Sequence, residues 1–212
     1  MDAVVDIPRL RGALHLWAAA PATAAAIVLL ALAPDATART ACAVYGTGLV
    51  ALFAGSAAYH RWPPASPVKA LLRRIDHSTI FVFIAASATP PAVLLLDGGD
   101  RLAVLLALWI GAAAGVLLSV VWIDAPRWLQ AACYLALGWA GVLIGPELFA
   151  AGGLAVGVLF VSGGVLYSIG AVAYALQRPN PWPGVFGFHE VFHLFVTLAA
   201  VVHYVAISLV VL

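Results

Sequence analysis

Seven apolar stretches follow one another along this chain, each long enough to cross a bilayer, and charged or Pro/Gly-rich breaks separate them. About 20 apolar residues in helical form span the hydrocarbon. There the backbone must satisfy its own hydrogen bonds, so a helix is the form such a stretch takes. The stretches cover residues 14–33, 41–60, 75–96, 102–123, 129–144, 153–176 and 188–211, and the sequence PDATART, RWPPASPVKALLRR, DGGDR, DAPR, GPELFAAG and QRPNPWPG supplies the breaks. The expected fold is all-α: one seven-transmembrane helix bundle over residues 1–212.

Composition agrees. Hydrophobic residues make up 65% and charged residues 9% of the 212 residues, and the mean hydropathy is +1.07, which excludes an ordinary soluble domain. The formal charge of +1, with no basic cluster interleaved with aromatics, argues against a nucleic-acid partner. The N-terminal MDAVVDIPRLRG carries acids as well as arginines and leads into a stretch with no small-residue cleavage signal, so the first helix is expected to be retained. With successive stretches running in alternate directions, Cys42 and Cys133 fall near opposite membrane faces, too far apart for the Cα separation of about 6 Å that a disulfide needs.

Charge sets the expected direction. Arg9, Arg11, Arg61, Lys69, Arg73, Arg74, Arg127 and Arg178 fall on one side of the alternating breaks, against Arg39 and Arg101 on the other. Positive residues are retained inside, so the N-terminus is expected in the cytoplasm and the C-terminus outside. Three small-xxx-small pairs, Gly111/Gly115, Gly141/Gly145 and Gly153/Gly157, offer places for close helix contact.

Polar side chains inside such stretches are costly and mark function by default. Here they gather at the cytoplasmic ends. The second stretch closes on Ser56-Ala-Ala-Tyr-His60, where residues four apart share a helix face. The third opens on Ile75-Asp76-His77-Ser78, and the last on His189-Glu190-Val191-Phe192-His193. Two imidazoles at i and i+4 suit one metal ion. With His60 they make three neutral nitrogen ligands and leave one position open, the pattern of a catalytic rather than a structural zinc site. Asp76 is then the expected base or partner beside the metal. Ser56 either joins the site or bonds its own helix backbone. His15 is expected to be an interfacial or capping residue. His77, about 100° around the helix from Asp76, is expected at a helix interface, and His203, about 15 Å deeper, against a neighbouring helix. Read as HExxH, the last motif would make Glu190 the general base of a metalloprotease; no acidic residue follows it to complete such a site, and His60 is the better third ligand.

At these residues the chain resembles the bacterial hemolysin III branch of the progestin and adipoQ receptor (PAQR) family, relatives of the adiponectin receptors. The resembling pieces are Ser56-Ala-Ala-Tyr-His60, LLRRIDHSTIFVFIAASATP (71–90), LALGW (135–139), GGVLYSIGAVAYALQRPNPWP (163–183) and FGFHEVFHLFV (186–196), which together cover nearly the whole chain. At Ala85-Ala86-Ser87-Ala88 it departs from the Gly-Thr-Tyr-like sequence usual in bacterial relatives. The resemblance implies a zinc ion near the cytoplasmic face of a bacterial plasma membrane, held by His60, His189 and His193, with Asp76 and Ser56 holding water beside it. It also implies kinship with ceramidase-like hydrolases.

The leading expectation is therefore a zinc-dependent hydrolase of lipid amides or esters with a role in membrane lipid homeostasis, its substrate or ligand a membrane lipid. Lys69, Arg73 and Arg74 are topology signals or contacts for anionic headgroups. A non-catalytic sensor or receptor clamped by metal is the alternative from another class. A lytic pore is disfavoured because no polar stripe lines a channel, and a transporter because the polar groups lie at one face rather than the midplane.

Overall fold

The computed structural model describes residues 8–63 and 68–212. Asp2 and Asp6 of the N-terminal stretch, and residues 64–67 of the break after His60, lie outside the described residues. The described chain is all-α. Eight helices run α1 (Ala13–Leu32), α2 (Ala36–Arg61), α3 (Lys69–Leu95), α4 (Gly98–Val121), α5 (Arg127–Trp139), α6 (Gly145–Ala150), α7 (Gly153–Leu176) and α8 (Phe188–Val211). Six of them, all but α5 and α6, are long and apolar enough to cross a membrane.

The expected fifth span is where the structure differs. The helix expected over 129–144 stops at Trp139, passes through a 3-10 segment, Ala140–Ile144, and restarts as α6. Gly138, Gly141 and Gly145 weaken the helix, and Pro146 near the start of α6 removes a backbone donor that a continuous ladder needs. A β-carbon on Gly138 or Gly141 would meet nothing within 4 Å, so close packing does not explain these glycines.

Two helices outlast their apolar stretches. In α2 the Asp35 side chain caps the Ala38 N–H at 2.8 Å, so the polar Ala36–Arg39 turn joins the helix ahead of residue 41. In α3 the basic turn Lys69–Arg74 precedes residue 75. At 26 and 27 residues both reach about 40 Å, beyond the roughly 30 Å of hydrocarbon.

The core forms where α3 packs between its neighbours. Phe83 faces α1, α2 and α8 with Tyr45, Leu49, Phe53 and Ile207, while Phe81 faces α4 and α5 with Leu108 and Tyr134. Of the expected glycine pairs, Gly111 and Gly115 do pack, against Leu137 and Phe81, and Gly157 packs against Phe149; Gly141 and Gly153 have no such neighbour. Other glycines meet small residues of a neighbouring helix: Gly46 against Ala26 and Gly48 against Ala86. Outward faces are apolar, with Ile27, Ile110, Leu117, Leu154 and Leu209 each more than half exposed. This is the surface a lipid solvent requires.

One end of the bundle collects alternate breaks. Arg9 N–H donates to Gly184 O at 3.0 Å and Leu10 N–H to Val185 O at 3.2 Å, joining the N-terminal segment to the loop before α8. Arg73 pairs with Asp124 at 2.7 Å, joining the start of α3 to the α4–α5 turn. Cys42 and Cys133 are free.

Candidate metal centre

The last turn of α2 and the first two turns of α8 meet at that end. His60, His189 and His193 each offer a ring nitrogen, and these three atoms lie within 4.8 Å of one another. The rings form a near-equilateral set, with centroids 4.7 Å (His60–His189), 5.0 Å (His60–His193) and 4.6 Å (His189–His193) apart. Nε2 of His60 and Nε2 of His189 face each other at 3.1 Å. Tetrahedral ligands at zinc–nitrogen distances near 2.05 Å stand about 3.3 Å apart, so the three nitrogens are near enough to hold one metal ion once they draw together. Gly12, with φ +75°, makes the approach possible from the N-terminal side: a β-carbon there would stand 2.4 Å from His60 Cβ.

Asp76 enters from α3 and is buried, its Oδ2 3.6 Å from His60 Nε2. It stands outside the three-nitrogen cluster, beside it. Ser56, 2% exposed, lies one turn below His60 and lines the same cavity as Asp76. His77 bonds its own helix at Arg73 O (2.9 Å), and its Nδ1 also lies 3.8 Å from Asp76 Oδ2. His203 bonds Phe160 O of α7 at 3.1 Å, as the depth argument expected.

Glu190 does not act on the centre. Its Oε2 accepts the Gly187 N–H at 2.8 Å, closing the first turn of α8, and its Oε1 accepts Arg11 Nε at 2.5 Å. Both oxygens are committed to helix capping and to the N-terminal segment, which removes the HExxH reading.

His15 is the residue the sequence placed wrongly. Expected at an interface, it is 2% exposed, and its ring lies flat on that of His193, centroids 3.8 Å and planes 1° apart. Phe53 braces it edge-on at 5.0 Å. One nitrogen faces the His193 carbonyl without reaching hydrogen-bond geometry, and neither has a hydrogen-bond partner among the described residues. The parallel stack sets the two rings in separate planes, so His15 flanks the ligand set rather than joining it. Its depth, level with the other histidines, was the available signal.

Two cavities meet at the triad. A cavity of about 260 Å³ runs from Ser56, Asp76 and His193 between α3, α5, α7 and α8 to Phe160 and His203, with mostly apolar walls. An open cleft of about 780 Å³ lies on the other side, reaching His60 and His189 from the basic end. Tyr174, whose hydroxyl donates to Gln130 Oε1 at 3.3 Å, lines both.

A bundle of long apolar helices that buries an imidazole triad at one end is a multi-pass membrane protein with a candidate metal centre. The family described as Haemolysin-III related matches residues 5–204, and the chain belongs to this haemolysin-III/PAQR family. It is 29% identical to the Hemolysin-3 homolog of Bacillus subtilis over 154 residues, which covers 72% of this chain and 68% of that one. It is 29% identical over 200 residues to the human Monocyte to macrophage differentiation factor, 91% and 79% covered. With the rice Heptahelical transmembrane protein ADIPOR2 it shares 37% identity over 154 residues, covering 64% and 66%. No solved structure matches it significantly.

Proposed function

We propose that this protein is a zinc-dependent hydrolase of lipid amide or ester bonds, ceramidase-like in its chemistry and serving membrane lipid homeostasis. The observation that carries the reading is the junction of a buried nitrogen triad, a neighbouring carboxylate and an apolar cavity. A metal clamp, the sensor-like alternative, needs the triad but has no use for a cavity opening onto it.

His60, His189 and His193 hold the ion, and zinc is the metal that suits a neutral three-imidazole set with an open position. When bound, it would supply Lewis-acid polarisation of a carbonyl and make water acidic enough to yield a nucleophile at neutral pH. Asp76, at 3.6 Å from His60 Nε2, takes up a proton at its carboxylate on the side facing the triad. Ser56 holds that carboxylate in place through its hydroxyl. The apolar cavity receives an acyl chain and keeps bulk water away from the reacting carbonyl.

The chain is a single domain crossing the bacterial plasma membrane seven times, α5 and α6 with their 3-10 link making one composite crossing. The N-terminus is cytoplasmic and the C-terminus outside. The excess of cationic residues at the triad's end supports that direction, and the heptahelical rice relative supports the count.

The test is fatty-acid release from ceramides and glycerolipids by the protein reconstituted in vesicles. Turnover by wild type that is lost in Asp76→Ala with the metal retained supports the reading. Release of no acid from any of these lipids by a metal-loaded wild type contradicts it.

A further inference from the structure

The cleft on the basic side of the triad has a composition that the hydrolytic reading does not use. Arg9, Arg11, Arg61, Lys69, Arg73 and Arg127 line it, and the only carboxylate among its described lining residues is Asp124; Arg11 is paired with Glu190 outside the cleft lining. Asp124 is paired with Arg73 at 2.7 Å. Among the described residues, no carboxylate forms an ion pair with Arg9, Arg61, Lys69 or Arg127. Lys69 is held by the Tyr59 and Trp62 carbonyls and lies 4.5 Å over the Tyr59 ring, so its charge is fixed at the cleft wall without being neutralised.

Placement adds a second constraint. Trp62, Trp122, Trp128 and Trp182 are all exposed at this end, one or more from each of the three breaks gathered there. Tryptophans in such a ring sit at headgroup level, where lipid phosphates lie. The cleft and the apolar cavity share His77, Tyr174 and His189 as a common wall. A molecule spanning both would have its charged end among the arginines, its chain in the apolar cavity, and its middle beside the triad.

We infer that the cleft is the headgroup subsite for an anionic amphiphile, a single-chain lipid bearing a phosphate group. It rests on the proposed hydrolase only for the fate of the ligand; binding needs no turnover. Cationic side chains at a headgroup surface each favour anionic lipid, and the three arginines among these four cations alone give a preference of at least about tenfold.

Binding of lysophosphatidylglycerol and of lysophosphatidylcholine with the same acyl chain, measured by native mass spectrometry on the full-length protein, tests this. Wild type should favour the anionic lysolipid at least about tenfold. The preference should fall by about tenfold or more in Arg9→Gln/Arg61→Gln/Arg127→Gln, persist in Arg39→Gln/Arg101→Gln at the opposite end, and persist in His193→Ala. Equal affinities in wild type, or a preference unchanged in the triple variant, would overturn it. So would loss of the preference in His193→Ala alone, which would put the anion on the metal. Glycerol 3-phosphate competing as well as the lysolipid would mark a free-anion site and also overturn it. An intact preference with no turnover of any lipid would sink the hydrolase and leave the subsite standing.

Discussion

The His15 and His193 rings lie face to face, 3.8 Å and 1° from parallel, so a helix that contributes nothing to the nitrogen triad still fixes one of its members. His193 Nδ1 has no hydrogen-bond partner among the described residues. A metal-binding imidazole is ordinarily oriented by such a partner, and here the flat contact with His15 limits its rotation instead.

His15→Ala should therefore weaken metal binding about 10- to 100-fold, the range typical of lost supporting contacts. His15→Phe keeps a flat ring at the same place and should stay near wild type. Competition titration against a chelator of known affinity reads both. A weakened Phe variant would mean that the imidazole nitrogens, not the stack, matter.

Arg11 and Glu190 form a pair whose carboxylate is 1% exposed. Arg11→Ala leaves a buried charge with only the Gly187 N–H to satisfy it and should destabilise the fold by about 3–5 kcal/mol. Thermal unfolding in detergent measures this. Glu190→Gln keeps an acceptor for Gly187 and should retain its metal, since neither Glu190 oxygen faces the triad.

Gly48→Ala should destabilise by about 1–3 kcal/mol, because its β-carbon would stand 2.7 Å from Ala86 Cβ at the α2–α3 contact. Gly138→Ala should be neutral or stabilise by up to about 1 kcal/mol, since nothing lies within 4 Å and alanine is the better helix former. Unfolding midpoints of the two variants should move apart; equal losses would contradict the close α2–α3 packing.

Much of the centre was legible because helix periodicity carries it. His189 and His193 share a face by spacing alone, and Ser56 and His60 likewise; the order of the breaks puts both pairs and Asp76 at one end. His15 was not legible, because no spacing within α1 links it to α8, and a lone imidazole near a helix start looks interfacial. Glu190 looked like a base because its motif places it between two ligands; its actual partners, Arg11 and the Gly187 N–H, depend on where the N-terminal segment folds. Hydropathy located the six long apolar helices yet missed their ends, since Asp35 capping and the Lys69–Arg74 turn extend α2 and α3 through polar residues. It also joined α5 to the residues beyond it, where Gly138, Gly141 and Pro146 break the helix without interrupting the apolar run.

The central claim is that α2 and α8 share one metal ion, and elemental analysis of chelator-free, detergent-purified protein tests it most directly. About one zinc per chain is expected in wild type, lost in both His60→Ala and His193→Ala and largely kept in Asp76→Ala. Wild type without metal, or either histidine variant retaining the full amount, would contradict the account.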